Sequence, residues 1–185
     1  RSEGQHYATT VTHNLINAVA GVSVEQVMLG KQVGKVPSYD STNIPRLDLE
    51  ISESGWGRYD WGLSAAEFQK LHPRAERKVQ QGLSTRQVKM VVAGRYAPVS
   101  FGFLNNQLVI ISISPTARIN DAIFNKHRKL LDGEFGPFTK VATPPGTNAT
   151  DQYQGEFGLT RIIHMRFRHD NTVGEGFTLF DRRMQ

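Results

Sequence analysis

The sequence predicts an α+β fold, with an antiparallel sheet of about four or more strands packed against a few short helices. Three observations predict it: a repeated helix-start signature, two β-rich runs flanking Asn105-Asn106, and an amphipathic stretch from Asn120 to Leu131 that precedes two further strand-like runs. The order strand, strand, helix, strand, strand favours antiparallel pairing over alternating βαβ units. The chain has 185 residues, 38% of them hydrophobic, enough for one well-buried domain or two small modules. The expected organisation is an N-terminal segment over 1–20 and an α+β domain over 21–185, divisible into related submodules 21–60 and 61–185.

Along the chain, residues 1–20 start polar and turn apolar at Leu15, Ile16, Val19 and Ala20, where Leu15, Val19 and Val22 have helical spacing. Gly21-Val22-Ser23-Val24-Glu25-Gln26-Val27 then shares its form with Gly62-Leu63-Ser64-Ala65-Ala66-Glu67-Phe68 and Gly82-Leu83-Ser84-Thr85-Arg86-Gln87-Val88. In each, the serine hydroxyl can accept from the backbone N–H three residues on, while Gln26, Glu67 or Gln87 reaches back to the serine N–H. These serines are therefore read as caps, not nucleophiles. The first two copies are expected to open short helices ending near Gly30 and near His72-Pro73. The third is read as a strand, because Val88, Met90 and Val92 alternate with Gln87, Lys89 and Val91.

Between these signatures, Arg46 to Ser52 alternates Leu47, Leu49 and Ile51 with Asp48, Glu50 and Ser52, the pattern of a half-buried strand. Gly55-Trp56-Gly57 and Trp61-Gly62 are expected to break regularity. Val99 to Phe103 and Leu108 to Ser114 form a predicted hairpin about Asn105-Asn106, a dipeptide that tolerates the left-handed conformation. Asn120 to Leu131 is a predicted amphipathic helix ending at Gly133, with Phe135-Gly136-Pro137 behind it. A loop is expected from Ala142 to Gly155, then a strand from Thr160 to His169, with Gly176 to Phe180 as its partner.

Composition removes whole reaction classes. With no cysteine there is no disulfide framework, thiolate zinc site, iron–sulfur cluster or cysteine nucleophile. The longest apolar run, Leu108 to Ile111, falls far short of the roughly 20 residues of a membrane-spanning helix. Net charge is +5, and its distribution is uneven: residues 70–95 hold Lys70, Arg74, Arg77, Lys78, Arg86, Lys89 and Arg95 against Glu76 alone. Such a segment attracts phosphate, lipid head groups or an acidic protein surface, or it simply solvates one face. No Lys/Arg run of five and no RNA-binding aromatic signature is present, so nucleic acid is a minor option. The first residue is Arg1 rather than methionine, a start that fits a removed signal peptide or an arbitrary boundary in a longer chain.

No catalytic constellation is legible. His6, His13, His72, His127, His164 and His169 lack metal-ligand spacing and are expected as scattered surface residues, so no metal or cofactor is expected. There is no P-loop lysine, no GxGxxG after a strand and no GxSxG elbow. Asp48, Glu50 and Glu53 offer carboxylates on a polar strand face, where solvation suffices to explain them. Thr160 to His169 is the stronger candidate: alternation puts Ile163, Met165 and Phe167 on one face and His164, Arg166 and Arg168 on the other. Guanidinium forks there would bind carboxylate or phosphate bidentately, unless acids on a neighbouring strand pair them first. Trp56, Tyr59 and Trp61, set among glycines, either anchor an interface or fill a core edge.

The capping signature, Trp61-Gly62 ahead of one copy, the Phe101-to-Ile113 hairpin and the helix closing in Leu131-Asp132-Gly133-Glu134-Phe135-Gly136-Pro137 together resemble the units of small bacterial envelope modules. These are the small lipoprotein of the outer-membrane β-barrel assembly machinery and β-lactamase inhibitory protein, over residues 61–170 with an echo at 21–51. The resemblance implies a secreted or periplasmic, non-enzymatic module that acts through protein–protein contact, as a subunit of an envelope assembly. The lipidation cysteine of those lipoproteins is missing here. The expected partner is a protein, acidic in character, with Arg166, Arg168, His164, Trp56, Tyr59 and Trp61 as candidate contacts and no oligomeric state implied. The alternative is a small-molecule or lipid-binding domain with a cavity between sheet and helix.

Overall fold

Two left-handed asparagines organise the sheet. Asn105 (φ 49°) and Asn106 (φ 67°) join β6 (Arg95–Leu104) to β7 (Gln107–Ile113), the two-residue hairpin that the dipeptide predicts. The computed structural model describes residues 49–80, 83–92, 95–114, 119–143, 148–169 and 172–184. The first capping signature and Arg46 to Asp48 lie outside them. Besides the hairpin, the sheet contains β4 (Glu76–Gln80), β5 (Leu83–Val92), β8 (Thr139–Val141), β9 (Ala149–Phe157), β10 (Thr160–His169) and β11 (Thr172–Asp181). Its eight strands run in the order β4-β5-β6-β7-β11-β10-β9-β8, every pair antiparallel. A separate three-stranded sheet is made of β1 (Ile51–Ser52), β2 (Gly55–Trp56) and β3 (Tyr59–Asp60). With two α-helices among the described residues, α1 (Ala65–Leu71) and α2 (Asp121–Phe135), the fold is α+β, built on a large antiparallel sheet.

Register carries one buried row across the large sheet. Val99 and Phe101 on β6 oppose Ile113 and Ile111 on β7, which oppose Phe177 and Leu179 on β11, which oppose His164 and Ile162 on β10. Because directly opposed residues share a face, this row is one surface, and both helices and the small sheet lie on it. Phe68 of α1 sits 4.6 Å from Phe101, and Phe124 of α2 sits 4.3 Å from His164, measured between ring centroids. The opposite face holds a smaller cluster of Leu83, Val109 and Ile110, with Leu104 and Phe180 against it.

Several expectations are corrected. The half-buried strand expected over Arg46 to Ser52 is reduced, among the described residues, to Ile51–Ser52, because Glu50 turns left-handed (φ 49°). The glycine-rich stretch after it is not irregular, since β2 and β3 form there. The loop expected from Ala142 to Gly155 contains β9, whose polar sequence hides it until β8 and β10 supply ladders on both sides. On the helix-covered face of β9, Gly155 has no side chain because Phe138 occupies the space: a Cβ would lie 2.5 Å from that ring.

Of the two capping signatures among the described residues, one forms its box. Ser64 accepts from the Glu67 N–H at 3.1 Å, and the Glu67 carboxylate accepts from the Ser64 N–H at 3.1 Å, so the second copy is a complete capping box. The third copy is strand, as alternation predicts, and Ser84 there accepts from Arg86 at 2.7 Å. Asn120 caps α2 by accepting from the Ile123 N–H at 2.9 Å. Gly133, expected as the end, lies inside α2; Leu131 and Phe135, both buried one turn apart, carry the helix on to Gly136 (φ 87°). Replacing Asn120 with alanine is expected to cost about 1 kcal/mol, measured by urea unfolding. A loss below about 0.3 kcal/mol would show that water replaces the cap without penalty.

Candidate functional site

Strand β10 carries three of the sequence-predicted contacts, and the structure uses each of them internally. Helix α2 covers the face that alternation left to solvent, so His164 is fully buried, at 0% exposure. Its ring is sandwiched between Phe124 at 4.3 Å and Phe177 at 4.8 Å. Arg166 donates to Asp121 on α2 at 2.7 Å and also to Asp151 on β9. Arg168 reaches the other oxygen of Asp121 at 3.3 Å. Asp151 is further bridged by Lys140. Burial acts to raise the Asp151 pKa, but the hydrogen bonds from Lys140 and Arg166 outweigh it and hold the carboxyl below its ordinary range. The anions that an acidic partner would bring are thus already supplied in cis.

Around His164 runs a buried polar chain with no counterpart in sequence spacing. Glu175 on β11 accepts from His127 Nδ1 at 2.8 Å and from His164 Nε2 at 3.1 Å. On the other side of the ring, Arg128 donates from Nη1 toward His164 Nδ1 at 3.3 Å. Arg128 also donates to Asp132 at 3.1 Å, and its guanidinium lies 3.6 Å from the centroid of the Phe138 ring. This pattern fixes His164 as the tautomer with its proton on Nε2, since Nδ1 faces a cation that can only donate. Burial lowers the His164 pKa and keeps the imidazole neutral, against the raising influence of Glu175. For Glu175, burial acts upward, yet the two histidine hydrogen bonds prevail and its pKa is lowered. Asp132, Arg128, His164, Glu175 and His127 therefore join α2 to the sheet as one hydrogen-bonded chain. His127 and His164, expected at the surface, are both core residues. Among the described residues, no group of three or more histidines and acids is placed to hold a metal ion.

The aromatic candidates are also core. Trp56, Tyr59 and Trp61 are 4%, 2% and 7% exposed. Trp56 Nε1 donates to the Leu49 carbonyl, Trp61 Nε1 donates to the Thr160 hydroxyl at 2.9 Å, and Tyr59 shares a 2.7 Å hydrogen bond with His72. Their glycines allow the tight turns of the small sheet rather than a mobile loop. Beside them opens a recess of about 260 Å³, lined by Trp56, Arg58 and Tyr59, by Glu50, and by Met90 to Val92.

The unsatisfied charge lies elsewhere, at the β4 end of the large sheet. Arg77 on β4 stands directly opposite Arg86 on β5, a like-charge pair. Arg86 is nearly buried, donating to Gln69 at 3.1 Å and to Ser84, with its pKa lowered by burial and by Arg77. Arg77, Lys78 and Arg74 are exposed, as is Lys89 on β5. Among the described residues none of these four forms an ion pair with an acid. The charge excess of residues 70–95 was legible in sequence. That it collects on an edge strand was not, because Glu76 to Gln80 is too short and too polar to announce a strand.

No protein-family model matches the chain, and no curated protein matches it. Among solved structures it is similar to a DUF4309 family protein (YjgB) from Bacillus subtilis subsp. subtilis str. 168, at 14% sequence identity and a TM-score of 0.49, covering 75% of this chain and 95% of that chain.

Proposed function

We propose that the chain is a non-catalytic module that works by protein–protein contact, capturing an acidic partner on the β4–β5 end of its large sheet. One observation carries this reading: Arg77 opposes Arg86, Lys78 follows on the strand's other face, and among the described residues none of the three pairs with an acid. Like charges directly opposed across a ladder cost stability, and an arriving carboxylate removes that cost while gaining attraction of its own. Elsewhere Asp121, Asp151, Asp181 and Glu156 already pair with cations, and Glu175 is hydrogen-bonded to histidines in the core, so these acids are occupied in holding the fold. The setting we propose is secreted or periplasmic, as the resemblance of its units to envelope modules implies.

The test is titration with a fluorescein-labelled ten-residue polyglutamate peptide, followed by anisotropy at low salt. Arg77→Glu with Lys78→Glu should weaken binding about tenfold, as for two lost rim attractions. Arg166→Ser with Arg168→Ser should leave it unchanged while lowering the melting temperature. Equal binding by the wild type and the Arg77/Lys78 variant would remove this reading.

A second reading is a small-molecule or lipid-binding domain, favoured by the recess beside Trp56 and Tyr59. Its volume is slightly below the ordinary range for ligand pockets, about 300 Å³ and above. Native mass spectrometry of the purified chain decides for it if a small ligand copurifies and is lost on Met90→Trp.

A further inference from the structure

We infer that β4 takes its partner by strand addition, so that an extended acidic segment becomes the ninth strand of the sheet; this rests on the acidic-partner reading above. The large sheet ends at β4, which among the described residues pairs with β5 alone. Among the described residues, its outer backbone N–H and C=O groups have no ladder partner, the template on which an incoming strand forms main-chain hydrogen bonds. Val79 on this strand is a large apolar residue 61% exposed, with no strand over it among the described residues. The other end of the sheet is a poorer acceptor: β8 has three residues, and its Lys140 is already held by Asp151.

Side-chain alternation specifies the incoming strand. Register with β5 puts Arg77 and Val79 on the helix-covered face, with Arg86 and Ser84, and puts Glu76 and Lys78 on the other, with Gln87 and Thr85. A strand laid antiparallel along β4 places one residue opposite each of these on the same face. From the position facing Val79 to that facing Glu76, complementarity asks for apolar, acidic, acidic, basic. The occupant is thus an extended, acidic segment of another protein. A second copy is disfavoured because Arg74, Arg77, Lys78 and Lys89 would be brought against the same four cations.

The experiment uses three labelled peptides and the intact chain. The first, Thr-Val-Glu-Asp-Lys-Thr, carries the complementary pattern; the second has the same sequence with alternate backbone nitrogens methylated on its pairing edge; the third has the same composition with its acids moved to the ends. The first is expected to bind about tenfold more tightly than either of the others, and to slow amide hydrogen exchange at Glu76 to Gln80. Arg77→Glu with Lys78→Glu, with an unchanged melting temperature confirming the fold, should abolish that advantage. Equal binding of the methylated peptide overturns strand addition while leaving charge capture standing. Failure of all three peptides to distinguish wild type from the Arg77/Lys78 variant overturns both. A concentration-dependent dimer that excludes the peptide overturns the heterologous partner.

Discussion

Replacing Glu175 with alanine is expected to destabilise the protein by about 3 to 5 kcal/mol, the scale for removing one member of a buried charged network. Glu175 is 6% exposed and accepts from two imidazoles, so its loss orphans His127 Nδ1 and His164 Nε2 in the core. The positive charge of Arg128 then has, among the described residues, Asp132 as its acid partner. Urea unfolding, followed through Trp56 and Trp61 fluorescence, reads the change directly. A loss under about 1 kcal/mol would mean that water enters and replaces the carboxylate, contrary to a sealed network.

The same network gives the pH dependence a definite sign. Burial holds the folded-state pKa of His164 below its ordinary value of 6.5, so its contribution is complete above about pH 6.5 and declines as pH falls below it. Glu175, whose pKa is lowered from 4.5, adds stability above that value and loses it as pH falls further, through its folded-state value. Stability of the wild type should therefore fall in two overlapping steps on the acid side. Glu175→Ala should remove the lower step and retain the histidine one. An acid limb identical in wild type and variant would exclude Glu175 as its source.

Phe101→Ala is expected to cost a similar amount, about 3 to 5 kcal/mol, the range for emptying a large aromatic site in a core. Phe101 is 0% exposed, and its ring centroid lies 4.6 Å from Phe68, 4.8 Å from Tyr59 and 6.1 Å from Trp56. Helix α1 and the small sheet thus meet over this one side chain. Its removal should loosen both at once, seen as loss of near-ultraviolet circular dichroism from the tryptophans together with lowered urea resistance. Retained tryptophan ellipticity with a loss below about 1.5 kcal/mol would show that the neighbours collapse into the space.

How much of this was legible follows from how far each signal reaches along the chain. The Asn105-Asn106 turn, the Ser64-to-Glu67 capping box and the alternation of β10 are decided within a few residues, and each stands where the sequence puts it. The strand reading of the third signature also holds, since ladders to β4 and β6 on both sides outweigh a cap worth about 1 kcal/mol. Strand β9 was invisible because Thr150, Asp151, Gln152 and Gln154 carry no apolar period. Only its neighbours' backbones and the cations that reach Asp151 make it a strand.

The reading of β10 shows the same limit at the candidate site. Alternation correctly separated Ile163 and Met165 from His164 and Arg166, but it could not say that both faces are covered. Period-2 spacing records which residues share a face; it does not record whether a helix lies over that face. Once α2 packs there, Asp121 and Phe124 arrive from about 40 residues away in sequence, so His164 becomes part of a core stack while Arg166 and Arg168, still at its margin, find their ion pairs in cis.

By itself, then, the sequence determined the class of fold, the hairpin, the Ser64 capping box, and the excess of positive charge in residues 70–95, because turn chemistry, capping and composition act over short stretches of chain. Tertiary structure alone decided that His127, His164 and Glu175 meet, that the aromatic trio is core, and that Arg77 and Lys78 lie on a strand that, among the described residues, ends the sheet and brings them no acid. Those outcomes depend on which distant backbones lie side by side, and no local period encodes that.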